Sequence, residues 1–89
     1  MKGETALVEI GRSVETRADF CAFVAALLQN YKDRPGDWEN ASLEAFLEGV
    51  AAFSRDFPGY VSNSGANIDP EQPSWSGFAE ILIAARVYE

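Results

Sequence analysis

From Phe20 onward the apolar residues recur at steps of three and four, and that period commits most of the chain to amphipathic helices. Phe20, Phe23, Val24, Leu27, Leu28 and Tyr31 draw one such stripe, flanked by Cys21 and alanines. Ahead of it, Thr16-Arg17-Ala18-Asp19 has the spacing of a capping box, with Asp in the place usually held by Glu or Gln. Pro35 disfavours helical geometry in the residue before it, and Gly36 follows, so this helix is expected to stop near Lys32 to Arg34.

The second stripe is Leu43, Phe46, Leu47, Val50 and Phe53, with Asn40 and Ser42 as rival N-caps and Asp56-Phe57-Pro58-Gly59 as the expected end. Ser74 caps a last helix from Trp75, whose buried face is expected to hold Phe78, Ala79, Leu82 and Ala85, with Tyr88 a further candidate. Residues 5–12 suit either a short helix or an extended arm, and Gly11 would end either. The expectation is an all-α fold with a single helical domain over residues 1–89. It is a compact bundle of three main helices, with room for a short N-terminal helix and a long loop at 60–73. A loop of that length is uncommon inside a compact domain.

Six phenylalanines, three tyrosines and two tryptophans give a chain of 89 residues the means to build a core without metals or disulfides. Cys21 is the single cysteine, so no internal disulfide can form, and a reducing, cytoplasmic home is expected. Residues 1–15 lack a continuous apolar run and carry Glu4, Glu9 and Glu15, which argues against a secretory leader. The longest apolar run, Phe20 to Leu28, is about half of what a membrane span requires.

Histidine is absent, which removes Ser-His-Asp and Cys-His machinery and the side chain most used for proton transfer near neutral pH. One cysteine cannot make a Cys-Cys zinc or redox motif, and Cys21, between Phe20 and Phe23, reads as an inert buried thiol. There is no phosphate-cradling glycine motif. The alternating oxygen donors from Asn63 to Asp69 lack the glycine and closing glutamate of a calcium loop. No catalytic activity, metal or cofactor is therefore expected. Gly49, in mid-helix, costs about 1 kcal/mol relative to alanine and implies close helix packing.

The net charge is −7, and the seven basic residues are scattered, so neither nucleic acid nor an anionic membrane is an expected partner. The acids do cluster. Asp33, Asp37, Glu39, Glu44 and Glu48 are opposed only by Arg34, and Trp38 lies among them. Asp37, Trp38, Glu39, Glu44 and Glu48, with Tyr60 as a second aromatic anchor, are the candidate partner-binding residues. The plainer reading is a solvated helix face with Trp38 covering the core edge.

The series Phe20 to Leu27, then Trp38-Glu39-Asn40, Leu43, Phe46-Leu47, Asp56, Gly59-Tyr60, Asn63, Gly65, Pro70, Pro73-Ser74-Trp75, Phe78-Ala79, Leu82 and Ala84 to Glu89, resembles a group of small bacterial proteins of unknown function. These carry a W-E-N…L-x-x-F-L segment and finish in F-A-x-x-L-x-A-A-x-x-Y-E. The likeness runs from about residue 16 to the end, departs at Phe53, where that group often has Trp, and implies a helical domain without supplying an activity. Glu89 lies at a helix C-terminus where negative charge is unfavourable; either Arg86 offsets it, or a cation elsewhere in the fold or on a partner should meet it. The leading expectation is an acidic protein-binding module that neutralises a basic protein, in the manner of an immunity protein paired with a bacterial toxin. The alternative is an accessory or self-associating helical module with no inhibitory role.

Overall fold

The computed structural model describes residues 2–65 and 68–88, with side chains from Leu7 onward. Four helices follow in order, α1 (Lys2–Arg12), α2 (Arg17–Asp33), α3 (Leu43–Ser64) and α4 (Trp75–Ala85), with a 3-10 turn at Pro35–Asp37. No strand occurs among the described residues, and the all-α expectation holds.

The helix starts follow the sequence signals. The Thr16 hydroxyl accepts from the Asp19 amide at 3.1 Å while the Asp19 carboxylate accepts from the Thr16 amide at 3.3 Å, completing the capping box. Ser42 and Ser74 each accept the amide three residues on, at 3.1 and 2.9 Å, and so start α3 and α4. Pro35 follows the end of α2 as expected.

α4 organises the rest. Glu80 is its one charged residue, and a helix apolar on nearly every side has to be wrapped by others. α1, α2 and α3 all pack on it, and α1 also packs on α2. One face of α4, through Ala79 and Ile83, joins Leu7, Val14, Phe23 and Leu27 of the α1–α2 side. The other, through Ile81 and Ala84, meets Phe53, Phe57 and Val61 of α3. Among the described residues the backbones of α2 and α3 do not approach each other.

Several expectations are corrected. α3 does not end at Pro58-Gly59 but runs on to Ser64, where Gly65, at φ 73°, caps it in the left-handed conformation. Phe53, Phe57 and Val61 extend the stripe at steps of four, and their burial offsets the backbone hydrogen bond that Pro58 removes. The connection to α4 therefore begins at Gly65 rather than at Tyr60. Gly11 lies inside α1, where a Cβ would sit 2.7 Å from Cδ1 of Ile83, so its role is close approach to α4 rather than termination. Cys21 is exposed, because it lies off the Phe23–Leu27 line that α2 turns inward. Phe78 is 41% exposed, packed against Phe20 and Trp75 rather than in the core, since the small Ala79 takes the innermost position.

The close packing expected at Gly49 is present, since a Cβ there would stand 2.6 Å from the Ala85 carbonyl oxygen. Asn40 is a cap, though of a different helix. Its side-chain amide donates to the carbonyls of Ala85 and Tyr88, both at 2.8 Å, and its backbone amide donates to that of Arg86 at 2.8 Å. It satisfies the orphan carbonyls at the C-terminus of α4, while Ser42 starts α3. The expectation for Glu89 lies outside the described residues.

Candidate partner-docking site

Helical stripes are read as core, yet part of each long stripe stays outside. On α2, Phe23 and Leu27 are buried while Val24, Leu28 and Tyr31 are exposed. On α3, Leu43 is 74% exposed and Leu47 54%, against 54% for Leu28. The two leftover parts border one open trough of about 320 Å³, with Val24, Leu28 and Tyr31 on the α2 side and Leu43 and Phe46 on the α3 side. Leu27 and Trp38 also line it, and Leu47, one turn beyond Leu43 on α3, is exposed as well. Contiguous exposed apolar surface with polar residues at its edge is the usual mark of an interaction site.

Trp38 is fixed in place. Its ring stacks on Phe46 at 5.6 Å, meets Tyr31 edge-on at 5.1 Å, and its Nε1–H donates to Oδ1 of Asn30 at 2.7 Å. The Arg86 guanidinium lies 5.9 Å from the ring centroid, a cation–π distance. Arg86 is 2% exposed, and its Nε donates to the Ile83 carbonyl. Asn40 and Arg86 thus join the Trp38-Glu39-Asn40 segment to the Ala84–Tyr88 segment, and the motifs at the two places are each other's partners.

The candidate acids divide. Asp37 is engaged, its Oδ2 2.7 Å from Nε of Arg34. Glu39, Glu44 and Glu48 are exposed and carry no ion pair among the described residues. Glu44 follows Leu43 in sequence, in the first turn of α3, where negative charge suits the helix dipole. Glu48, one turn on, borders a separate hollow with Arg55 and Tyr88. Lys32 follows Tyr31 in the last turn of α2, with Asp33 next to it.

Tyr60 does not join this site. It lies on α3 rather than at a loop mouth, about 20 Å along the helix from Phe46 at 1.5 Å per residue. Its ring packs on Phe53 and Phe57, and its hydroxyl donates to Glu80 at 3.1 Å. Close by, Tyr88 donates to Asp56, which also pairs with Arg55, and its ring stands edge-on to Phe53.

These contacts set the response to pH. Burial and then the nearby Glu80 charge raise the Tyr60 phenol above its ordinary value of 10.0, and the hydrogen bond to Asp56 raises that of Tyr88. The folded state holds these protons after the unfolded chain has released them, so stability is full below about pH 10 and falls as pH climbs through the folded values. Asp56 moves the other way, lowered first by the Tyr88 hydrogen bond, and its contribution is lost as pH falls through its depressed value. Chemical denaturation from pH 7 to 11 should show the alkaline decline, and Tyr60→Phe together with Tyr88→Phe should flatten it. An unchanged decline in that double variant would contradict the assignment.

Among the described residues, no group of Asp, Glu and Cys is placed to hold a metal ion, and no helix is long and apolar enough to cross a membrane. The molecule is thus a small helical domain whose apolar surface passes from its core into an open apolar trough. The chain belongs to DUF7660, a family of unknown function whose model matches residues 16–89. That span carries α2, α3 and α4, and with them both walls of the trough; α1 precedes it. No curated protein and no solved structure matches the chain.

Proposed function

We propose that this protein is a non-catalytic binding module that docks a basic protein partner on the face formed by α2 and the first turns of α3. The observation that carries this is the open apolar trough of Val24, Leu28, Tyr31, Leu43 and Phe46; Glu39 and Glu44, which adjoin its lining in sequence, are exposed and carry no ion pair among the described residues. An apolar centre with a charged rim is the anatomy of a protein interface, in which apolar contact supplies affinity and charge supplies rate and selectivity. An immunity-type inhibitor of a cationic toxin is the concrete form of this reading. The −7 charge favours such a pairing, and the exposed thiol of Cys21 suits a reducing, cytoplasmic setting. The other reading, a self-associating or accessory module, draws on the same exposed leucines, although two copies at −7 repel.

Changing Glu39, Glu44 and Glu48 together to Gln is expected to slow association with the basic partner by about ten-fold at low salt, with the melting temperature within a few degrees of the parent. Capture from a lysate of the source organism at low and high salt, then kinetics on the recovered protein and an assay of its toxicity with the module added, would check this. Self-association without any basic protein would favour the second reading, and a collapse in stability would place these acids in the fold rather than on an interface.

A further inference from the structure

Every polar side chain lining the trough is already engaged. The Asn40 amide is spent on two carbonyls of the α4 end, Tyr31 donates to the Ala41 carbonyl at 3.4 Å, Ser42 caps α3, and Trp38 donates to Asn30. The trough therefore has little to offer an occupant's backbone. An extended peptide laid in it would leave amides and carbonyls without partners, whereas a helix satisfies its own. The walls also have helical spacing. Val24, Leu28 and Tyr31 stand at i, i+4 and i+7 on one side, and Leu43 and Phe46 at i and i+3 on the other. They belong to two helices that both pack on α4 and do not approach each other. Such paired ridges accept the side chains of a third helix.

Resting on the docking function above, we propose that the occupant is one amphipathic α-helix of the basic partner, laid between α2 and the first turns of α3. Glu39 and Glu44, next in the chain to the trough-lining Trp38 and Leu43, are exposed and carry no ion pair among the described residues, which favours an occupant rich in Lys and Arg. An apolar stripe at i, i+3, i+4 and i+7 enters the trough, the pattern of helix-in-groove recognition. A second copy of this chain would bring its own acids against Glu39 and Glu44 and is the poorer occupant.

The test uses the full chain and three peptides of about sixteen residues, long enough for about four helical turns. One has a leucine stripe with lysine flanks, one the same stripe with glutamate flanks, and one the composition of the first with the stripe broken. The first is expected to bind, to gain helicity by circular dichroism, and to shift the amide resonances of Val24, Leu28 and Leu43. The other two should bind at least about ten-fold more weakly, and Leu28→Gln with Leu43→Gln should weaken the first peptide by a similar factor. Equal binding by the broken-stripe peptide, no binding by the first, or no effect of the double variant would overturn the proposal. So would a concentration-dependent dimer of the chain that excludes the first peptide. Should a captured basic partner lose its grip on the double variant while docking through a non-helical segment, the docking function stands and the helix inference falls. If nothing binds in the trough, both fall.

Discussion

Replacing Gly49 with valine is expected to lower the unfolding free energy by about 3 kcal/mol, although valine is the better helix former by a few tenths. A Cβ at this position would stand 2.6 Å from the Ala85 oxygen, 3.2 Å from its Cα and 3.0 Å from Nδ2 of Asn40. Two of those atoms are backbone and cannot swing aside, so α3 has to move away from the end of α4. Moving it also strains the amide of Asn40, which holds the carbonyls of Ala85 and Tyr88. For a domain this small, 3 kcal/mol corresponds to a fall in melting temperature of about 12–24 °C. A thermal melt of Gly49→Val reads the result directly, and a shift of only a few degrees would mean that the crossing is looser than described.

The second large effect belongs to Phe23. It is 0% exposed, and Phe23→Ala is expected to cost about 3–5 kcal/mol through lost burial and the cavity left behind. That is much of the 5–10 kcal/mol typical of a domain of this size. Leu28 lies in the same stripe, yet Leu28→Gln is expected to change stability by no more than about 0.5 kcal/mol, because its side chain already faces water. Urea denaturation of the two variants would separate them. Comparable losses would mean that Leu28 is covered in the isolated protein, leaving no open trough.

That contrast shows how far the sequence can be read. Thr16–Asp19, Pro35 and Ser74 announce their elements because capping and proline sterics are local and act whatever lies around them. Pro58-Gly59 misleads for the opposite reason. The local preference to break is overridden by burial of Phe53, Phe57 and Val61, a tertiary effect, although their four-residue spacing was visible. Gly11 and Gly49 are both inside helices, and only the crossings with α4 distinguish them from glycines that stop a helix.

The site was legible in part. The acids and Trp38 stand out by composition, but which acids remain unpaired depends on Arg34 reaching Asp37. Asn40 was read as a cap, and nothing local says that it caps a helix some 45 residues away. Val24, Leu28, Leu43 and Leu47 were assigned to the core because periodicity marks which side of a helix is apolar, not whether another element is there to cover it. One clue was available. The α2 stripe from Phe23 to Leu28 spreads over about 140° of the helix circumference, and α4 covers only the part around Phe23 and Leu27. In a chain with so few helices, the uncovered part has to face solvent or a partner.

The central claim is that this uncovered part is a docking face. Its most direct test is one triple variant, Leu28→Gln with Leu43→Gln and Leu47→Gln, measured for thermal stability and for retention of the captured basic partner. The account predicts a melting temperature within about 5 °C of the parent, since all three side chains are more than half exposed, together with loss of the partner. A variant that unfolds, or one that melts normally and still retains the partner, would contradict it.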